Sequence, residues 1–286
     1  MTHIAFLGTG LLGAALAEAA AKRGEEIVAW NRTIEKAKAL EQFGVRVAAT
    51  PADAVRGAAR VHLVLKDDAV VEDVVARLRP GLSAEAIVVD HTTTQPRLTA
   101  ARAVRLNGEG VRYLHCPVFI GPAAARARQG TIMSSGHKEL FDTVREPLER
   151  MAPRVEYLGE DPGRAAAFKL FGNTLIIGLA ALAADVFAIG AGLGIPASEA
   201  LKVRDLVSIS GVLTGRAANM AAGNYTPAFE LAMARKDVRL MMESADGQPL
   251  AALPSIAARM DALIAEGYGD LDLAVLGIAA TGGRAG

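Results

Sequence analysis

Little in this sequence can be cross-linked, and nothing in it is charged to excess. Of its 286 residues one is a cysteine, Cys116, so no internal disulfide is available and a reducing, cytoplasmic setting is expected. Lys+Arg and Asp+Glu both number 31, giving a formal net charge of zero. The basic excess of a nucleic-acid binder is absent, so no nucleic-acid partner is expected. The five histidines, at positions 3, 62, 91, 115 and 137, show no metal-ligand spacing with or without Cys116, and no metal is expected. Neither a GxSxG elbow nor a Walker lysine motif is present. The first strand-like run, HIAFLG, begins at His3, so no signal peptide is expected. The most apolar stretch, AAAFKLFGNTLIIGLAALAADVFAIGAGLGIP, is broken by Lys169, Asn173 and Asp185. No uncharged run in it reaches the ~18 residues that a membrane span needs, so it is read as a buried core helix of a soluble protein.

What is there is an ordinary globular composition, 51% apolar and 22% charged, in a chain long enough for two domains. From the N-terminus, short apolar runs alternate with amphipathic segments. The runs HIAFLG, EIVAW, VRVAA, RVHLVLK, AIVVD, RYLHCPV, TIMSSG and RVEYLG are expected strands. Helical stretches such as LLGAALAEAAAKRG lie between most of them, the pattern of a parallel α/β sheet. After Gly163 the strand signal ends, and helical segments follow, broken at GIP, SISG, NYTP, DGQP and GYGD. The expected division is an α/β domain over 1–162 and an all-α domain over 163–286, joined by a long helix at about 163–194.

The stretch FLGTGLLG places Gly8, Gly10 and Gly13 in GxGxxG spacing, directly after the first strand and opening the first helix. The first glycine permits a tight turn, the second lets backbone approach a pyrophosphate, and the third lets helix and strand pack closely. Leu11 and Leu12 stand inside the same loop, and a Rossmann-type dinucleotide-binding domain is expected. The second strand ends in Asn31-Arg32-Thr33, where an NAD site usually carries an acid for the ribose hydroxyl. An amide, a guanidinium and a hydroxyl can instead donate to a 2′-phosphate, so NADP is preferred, with NAD as the other option.

Lys169 and Asn173 lie one turn apart on the apolar helix, which puts both on one face. Beside a nicotinamide, a desolvated lysine can protonate a carbonyl oxygen, and the amide can hold that oxygen or the ammonium. On residue types alone, a lysine snorkelling from a helix edge is an equal alternative. The surrounding motifs carry a resemblance. In order along the chain they are GTGLLG (8–13), WNRT (30–33), DHTTTQP (90–96), PVFIGPAAARARQGT (117–131), KLFGN (169–173), FELAMARKD (229–237) and GYGDLD (267–272). Together they resemble the β-hydroxyacid dehydrogenase family, which includes 3-hydroxyisobutyrate dehydrogenase and the glyoxylate/succinic semialdehyde reductases. The resemblance implies that Lys169 is the catalytic lysine and Asn173 its neighbour in the substrate pocket. It further implies that Thr93, Leu65, Lys66 and Lys236 contact the cofactor, and that Phe229 and Asp237 line the closed site. A helical domain that builds a homodimer or higher homo-oligomer is also implied. On charge pattern alone, Lys236-Asp237 is equally an exposed helix face.

One motif departs from the family. Where the substrate loop normally reads Pro-Val-Ser-Gly-Gly, this chain has Pro117, Val118, Phe119, Ile120 and Gly121. The hydroxyl that helps clamp a substrate carboxylate is gone, and an apolar wall would disfavour a charged group. Three readings fit this loop: backbone amides hold the acid, the substrate is a larger or less charged aldehyde or ketone, or catalysis is lost. The expected activity is NADPH-dependent reduction of a small aldehyde, semialdehyde or ketone, reversible as an alcohol oxidation. An imine reductase, or an NADP(H)-binding protein without turnover, is the alternative. His91 and His115, near strand ends, Arg126 and Arg128 in the loop, and Cys116 are expected to be structural, and Asp185 to be a hydrogen-bonded interface residue rather than an acid catalyst. Ser135 or Gly136 is expected near a helix start.

Overall fold

The computed structural model describes residues 2–281. It comprises two compact units, Met1–Asn173 and Thr174–Gly286. The first is built from β1 (His3–Leu7), α1 (Leu11–Lys22), β2 (Ile27–Trp30), α2 (Ile34–Lys38), β3 (Arg46–Val47), α3 (Pro51–Val55) and β4 (Ala58–Leu63). There follow α4 (Asp68–Leu78), β5 (Ile87–Asp90), α5 (Pro96–Gly108), β6 (Arg112–His115), β7 (Val118–Phe119) and α6 (Pro122–Arg126). Last come β8 (Thr131–Ser134), α7 (Lys138–Met151) and β9 (Arg154–Tyr157). The sequence-predicted alternation is therefore observed, with one difference. The run RYLHCPV is two strands in two sheets, because the chain leaves the first sheet at Cys116-Pro117 and proline cannot donate to a ladder.

The main sheet has six parallel strands in the order β3-β2-β1-β4-β5-β6. The strand order reverses at β1, which opens a crevice between β1 and β4 at their carboxyl ends, where sheets of this kind bind ligands. Alternate strand residues supply two apolar clusters. Phe6, Ala29 and Val89 pack toward α1 and α7, whereas Leu7, Val28 and Val88 pack toward α3 and α4. Strands buried on both faces explain the continuous apolar runs in the sequence. The second sheet is small: β7 pairs antiparallel and β9 parallel with β8.

The turn from β1 into α1 is set by missing side chains. Gly8 has φ +95°, and a Cβ on it would run into the Val64 carbonyl oxygen. A Cβ on Gly13 would run into the Gly8 carbonyl oxygen. Helix and strand thus meet backbone to backbone.

A single helix, α8 (Arg164–Gly192), carries the chain from the first unit into the second. Its first turn is fastened to the α/β unit, where Ala165 N–H donates to Ser135 Oγ at 2.9 Å and Ala165 and Ala166 are buried. Ser135 therefore serves this helix, while α7 begins after His137. The second unit continues with α9 (Ala197–Ala200), α10 (Ile209–Ala222), α11 (Leu231–Ser244), α12 (Leu253–Ala265) and α13 (Ile278–Thr281), around Leu231, Met260, Leu263 and Val275. Asp185 is the polar anchor of this unit. Its carboxylate accepts the Ala251, Ala252 and Leu253 N–H groups, the last at 2.8 Å, and caps α12 from α8.

The expectation that α8 is a buried core helix does not hold within one chain. Phe171 is 61%, Ile176 58% and Ile177 68% exposed, and on length and composition alone the helix is apolar enough to cross a membrane. Periodicity missed this because a helix that is apolar all round looks the same whether it is covered by its own chain or by something else.

Two outcomes follow for denaturant unfolding. Gly13→Ala is expected to lower stability by about 2 kcal/mol through overpacking against the Gly8 carbonyl. Asp185→Ala is expected to cost about 2 kcal/mol, since three helix-start N–H groups lose a charged acceptor. An unchanged midpoint for either variant would contradict the corresponding contact.

Candidate active site

The glycine turn ends in a bare helix start. Gly10 precedes α1 without a side-chain cap, and no acidic residue occupies the first turn. The positive end of the helix dipole therefore faces outward with unclaimed N–H groups, a setting that favours a phosphate. Leu11 is 85% exposed at that start, whereas Leu12 packs into the core. Only one of the two leucines thus stands at the surface of the cradle.

The cradle continues into a cavity of about 460 Å³, lined by Gly8, Gly10, Asn31, Arg32, Thr33, Leu65 and Lys66 among others. All the cofactor-binding positions expected in the β2 and β4 turns therefore meet there. Asn31 has a local task. Its Oδ1 accepts Thr9 N–H at 3.0 Å and its Nδ2 donates to the Thr33 carbonyl at 2.9 Å, locking the end of β2 onto the glycine turn. Arg32, Thr33 and Lys66 are exposed or partly exposed at the rim. Two further cations were not singled out by the sequence. Lys36, on α2, lines the cavity, and so does Arg77, whose guanidinium lies 5.2 Å from the Trp30 ring centroid. The chain distance from Asn31 to Arg77 hid the second. Leu65 N–H donates to Thr92 Oγ1 at 3.0 Å, which ties the β4 turn to the β5 turn.

The DHTTTQP segment has one outward threonine. Asp90, fully buried, accepts Thr92 N–H at 2.9 Å and the Tyr113 hydroxyl at 2.6 Å. Thr94 bonds Thr99 at 2.7 Å. With Thr92 and Thr94 buried by these bonds, Thr93 is the exposed threonine at the carboxyl end of β5.

Beneath the loop at 117–121 runs an oriented chain of hydrogen bonds. Arg60 Nε, which can only donate, meets His62 Nε2 at 2.8 Å. The His62 Nδ1–H therefore faces His91 Nε2 at 2.8 Å, and the His91 Nδ1–H faces the Cys116 carbonyl at 2.6 Å. Burial holds both rings neutral, with His91 pushed down to about 4 and His62 well below the usual histidine range. This chain fixes the residue where the loop leaves the sheet. His115 is buried against the Thr92 carbonyl, and burial pushes the Cys116 thiol up to about 12, so neither offers a reactive group. Arg126 Nε is bound to Glu18 Oε2 at 2.7 Å and Arg128 to the Glu149 carbonyl at 2.9 Å, as structural residues. Among the described residues no cluster of metal-ligating side chains occurs.

The loop delivers its two apolar residues to different places. Val118 is buried, Ile120 is partly buried and packs against the core, and Gly121 begins α6. Phe119, paired in register with Thr131, faces α8 instead. Lys169 Nζ lies 4.3 Å from the Phe119 ring centroid, and Asn173 follows one turn along the same helix. Lys169 is half-buried, and burial lowers its ammonium below the ordinary lysine value. Both expected catalytic residues belong to the first unit with the loop. Phe229, Lys236 and Asp237 belong to the second. There Phe229 N–H donates to Asp272 Oδ2 at 2.9 Å, and Lys236 Nζ pairs with Asp237 at 3.0 Å on α11.

The comparisons with known proteins converge on this arrangement. Residues 3–159 match the family described as the NAD binding domain of 6-phosphogluconate dehydrogenase. Over 255 residues, 86% of each chain, the sequence is 30% identical to an uncharacterized oxidoreductase of Shewanella frigidimarina (strain NCIMB 400). It is 26% identical over 284 residues, 96% of each chain, to glyoxylate/succinic semialdehyde reductase 1 of Arabidopsis thaliana. Among solved structures, a reductive aminase from Aspergillus terreus in complex with NADPH and ethyl levulinate has a TM-score of 0.86 at 25% identity. That match covers 96% of this chain and 98% of the aminase. Glycine turn, strand order and sequence agree, and the chain belongs to the 6-phosphogluconate dehydrogenase superfamily as a β-hydroxyacid dehydrogenase-like, NAD(P)-dependent oxidoreductase.

Proposed function

We propose that this oxidoreductase uses NADPH to reduce the carbonyl group of a small aldehyde or ketone, with Lys169 as the proton donor. The observation that carries the reading is a desolvated lysine, one turn from a carboxamide, beside the loop that follows the dinucleotide-binding sheet. When bound, the dihydronicotinamide supplies a hydride to the carbonyl carbon. As the C–O π bond opens, Lys169 Nζ gives the oxygen a proton, and Asn173 is placed to hold that oxygen through its amide. Desolvation brings the lysine nearer neutrality than a free one, which eases proton transfer in both directions. Thr93, the exposed threonine beyond β5, is assigned to the nicotinamide end of the cofactor.

The preference for NADPH is supported by Arg32, Thr33, Lys36 and Arg77 around one cavity, and by the absence of an acid at the end of β2. Arg32 and Arg77 can each offer two N–H groups to a 2′-phosphate. Buried, unreactive Cys116 is compatible with a reducing cytoplasm.

The working form we propose is a homodimer. Support comes from the exposed apolar residues on the second-unit part of α8 and from the groove of about 530 Å³ between Leu179, Phe187, Val203 and Leu213. A contiguous apolar face of this kind is rare on a monomer.

Lys169→Met should lower kcat for carbonyl reduction by about 10²- to 10⁴-fold while leaving NADPH binding near its wild-type value. The wild-type reduction rate should fall as pH rises through the Lys169 pKa, below the ordinary lysine range, because the ammonium is the acid. That limb should be absent from the variant. Near-wild-type turnover by Lys169→Met, with chemistry rate-limiting, would refute the assignment, and selective turnover of cyclic imines would favour imine reduction instead. For the assembly, sedimentation should give twice the mass of the chain, and Ile177→Glu should give the single chain. A monomeric wild type would exclude the dimer.

A further inference from the structure

Phe119 does more than replace a serine. Its ring lies within reach of Lys169 Nζ on one side, and its Cζ edge rests on the bare backbone of Gly172, where a Cβ would collide with it. Residues 169 and 172 are neighbours on one helix face, so the ring covers the surface from the ammonium to the next turn of α8. An ammonium over an aromatic face is attracted to the ring quadrupole, which keeps Phe119 in this place.

The other loop side chains are engaged elsewhere. Val118 and Phe119 pair with Ile132 and Thr131, and Ile120 packs against the core. Of the two loop guanidiniums, Arg126 is bound to Glu18 and Arg128 to the Glu149 carbonyl. A carboxylate brought alongside Lys169 would therefore meet the electron-rich face of a ring that offers it no hydrogen bond. It would lose hydration and gain no donor from the ring, and the ammonium it could pair with is the one the carbonyl oxygen needs. An apolar substituent at the same place gains contact area on the ring.

We infer that Phe119, seated on Gly172 and Lys169, is the specificity-determining residue that makes the substrate an uncharged aldehyde or ketone with an apolar substituent and rejects substrates bearing a carboxylate. The inference rests on the reading of this site as a carbonyl reductase. Phe119 sets which molecule presents its carbonyl to Lys169, and Gly172 is the positioning residue that makes room for the ring.

The test compares two aldehydes of one shape, succinic semialdehyde and 4-methylpentanal, in which two methyl groups stand where the carboxylate oxygens are. Wild-type kcat/KM with NADPH is expected to favour 4-methylpentanal by at least about thirtyfold. Phe119→Ser should shrink that ratio at least about tenfold, mostly by gaining activity on the acid. Gly172→Ala, which displaces the ring without altering its chemistry, should shift the ratio the same way, and it serves if the serine variant fails to fold. Wild-type preference for succinic semialdehyde, or a ratio unmoved in the folded variants, overturns the inference. A second readout needs no turnover: calorimetric binding of 4-hydroxybutanoate and 4-methylpentanol to the NADP-loaded protein. Binding of the alcohol alone by wild type, with the acid gained in Phe119→Ser, supports the inference, and equal wild-type binding of both overturns it. If neither aldehyde is reduced, carbonyl reduction fails as the function, while these binding measurements still decide what Phe119 selects.

Discussion

Backbone-to-backbone contact is the constraint on which the rest of this molecule depends. At the end of β1 the Gly13 backbone lies against the Gly8 carbonyl, and Gly8 lies against Val64. These contacts draw the start of α1 down onto β1 and β4 at the point where strand order reverses. Had either position a side chain, the helix start would lift, and its unclaimed N–H groups would no longer face the crevice. The same device recurs at the other end of the unit. Gly172 lets an aromatic ring touch the helix backbone one turn from Lys169, so a missing Cβ there sets what surrounds the lysine.

Between these two glycine contacts the site is held by buried polar groups that do no chemistry themselves. Asp90 accepts from Thr92 and Tyr113, and Asn31 joins the β2 turn to the glycine turn. The directed chain from Arg60 through His62 and His91 ends on the Cys116 carbonyl. Each ties a strand end to its neighbour, so the turns that surround the ligand are fixed by the sheet rather than left to their own flexibility. Such networks are costly if half satisfied, and here each link has a donor facing an acceptor. Lys169 differs in kind. It is half-buried, and it lies over an aromatic ring rather than beside a carboxylate.

Much of this was legible in sequence because it is local. The GxGxxG spacing, the alternation of apolar runs and helices, and the turn of helix joining Lys169 to Asn173 are properties of neighbouring residues. The segment DHTTTQP identified the right turn, but that Thr93 and not Thr92 or Thr94 faces outward depends on Asp90, Thr99 and Leu65, which lie in other elements. RYLHCPV looked like one strand because its residues favour one, and only the second sheet pulls Val118 and Phe119 away from the first. Arg77 entered the cofactor cavity unannounced, since its place beside Trp30 is a matter of how α4 packs on β2.

The sequence by itself determined the two-part architecture, the dinucleotide cradle and the one-turn spacing of Lys169 and Asn173, because each is written in residue type and short spacing. It also showed that the loop at 117–121 departs from the family's pattern. Tertiary structure alone decided where that loop sends its side chains, packing Ile120 against the core and Phe119 onto Lys169 and Gly172. It also decided that α8 is apolar yet uncovered within one chain. Both outcomes depend on which surfaces meet across long chain separations, and an apolar residue carries no mark of the neighbour that will cover it.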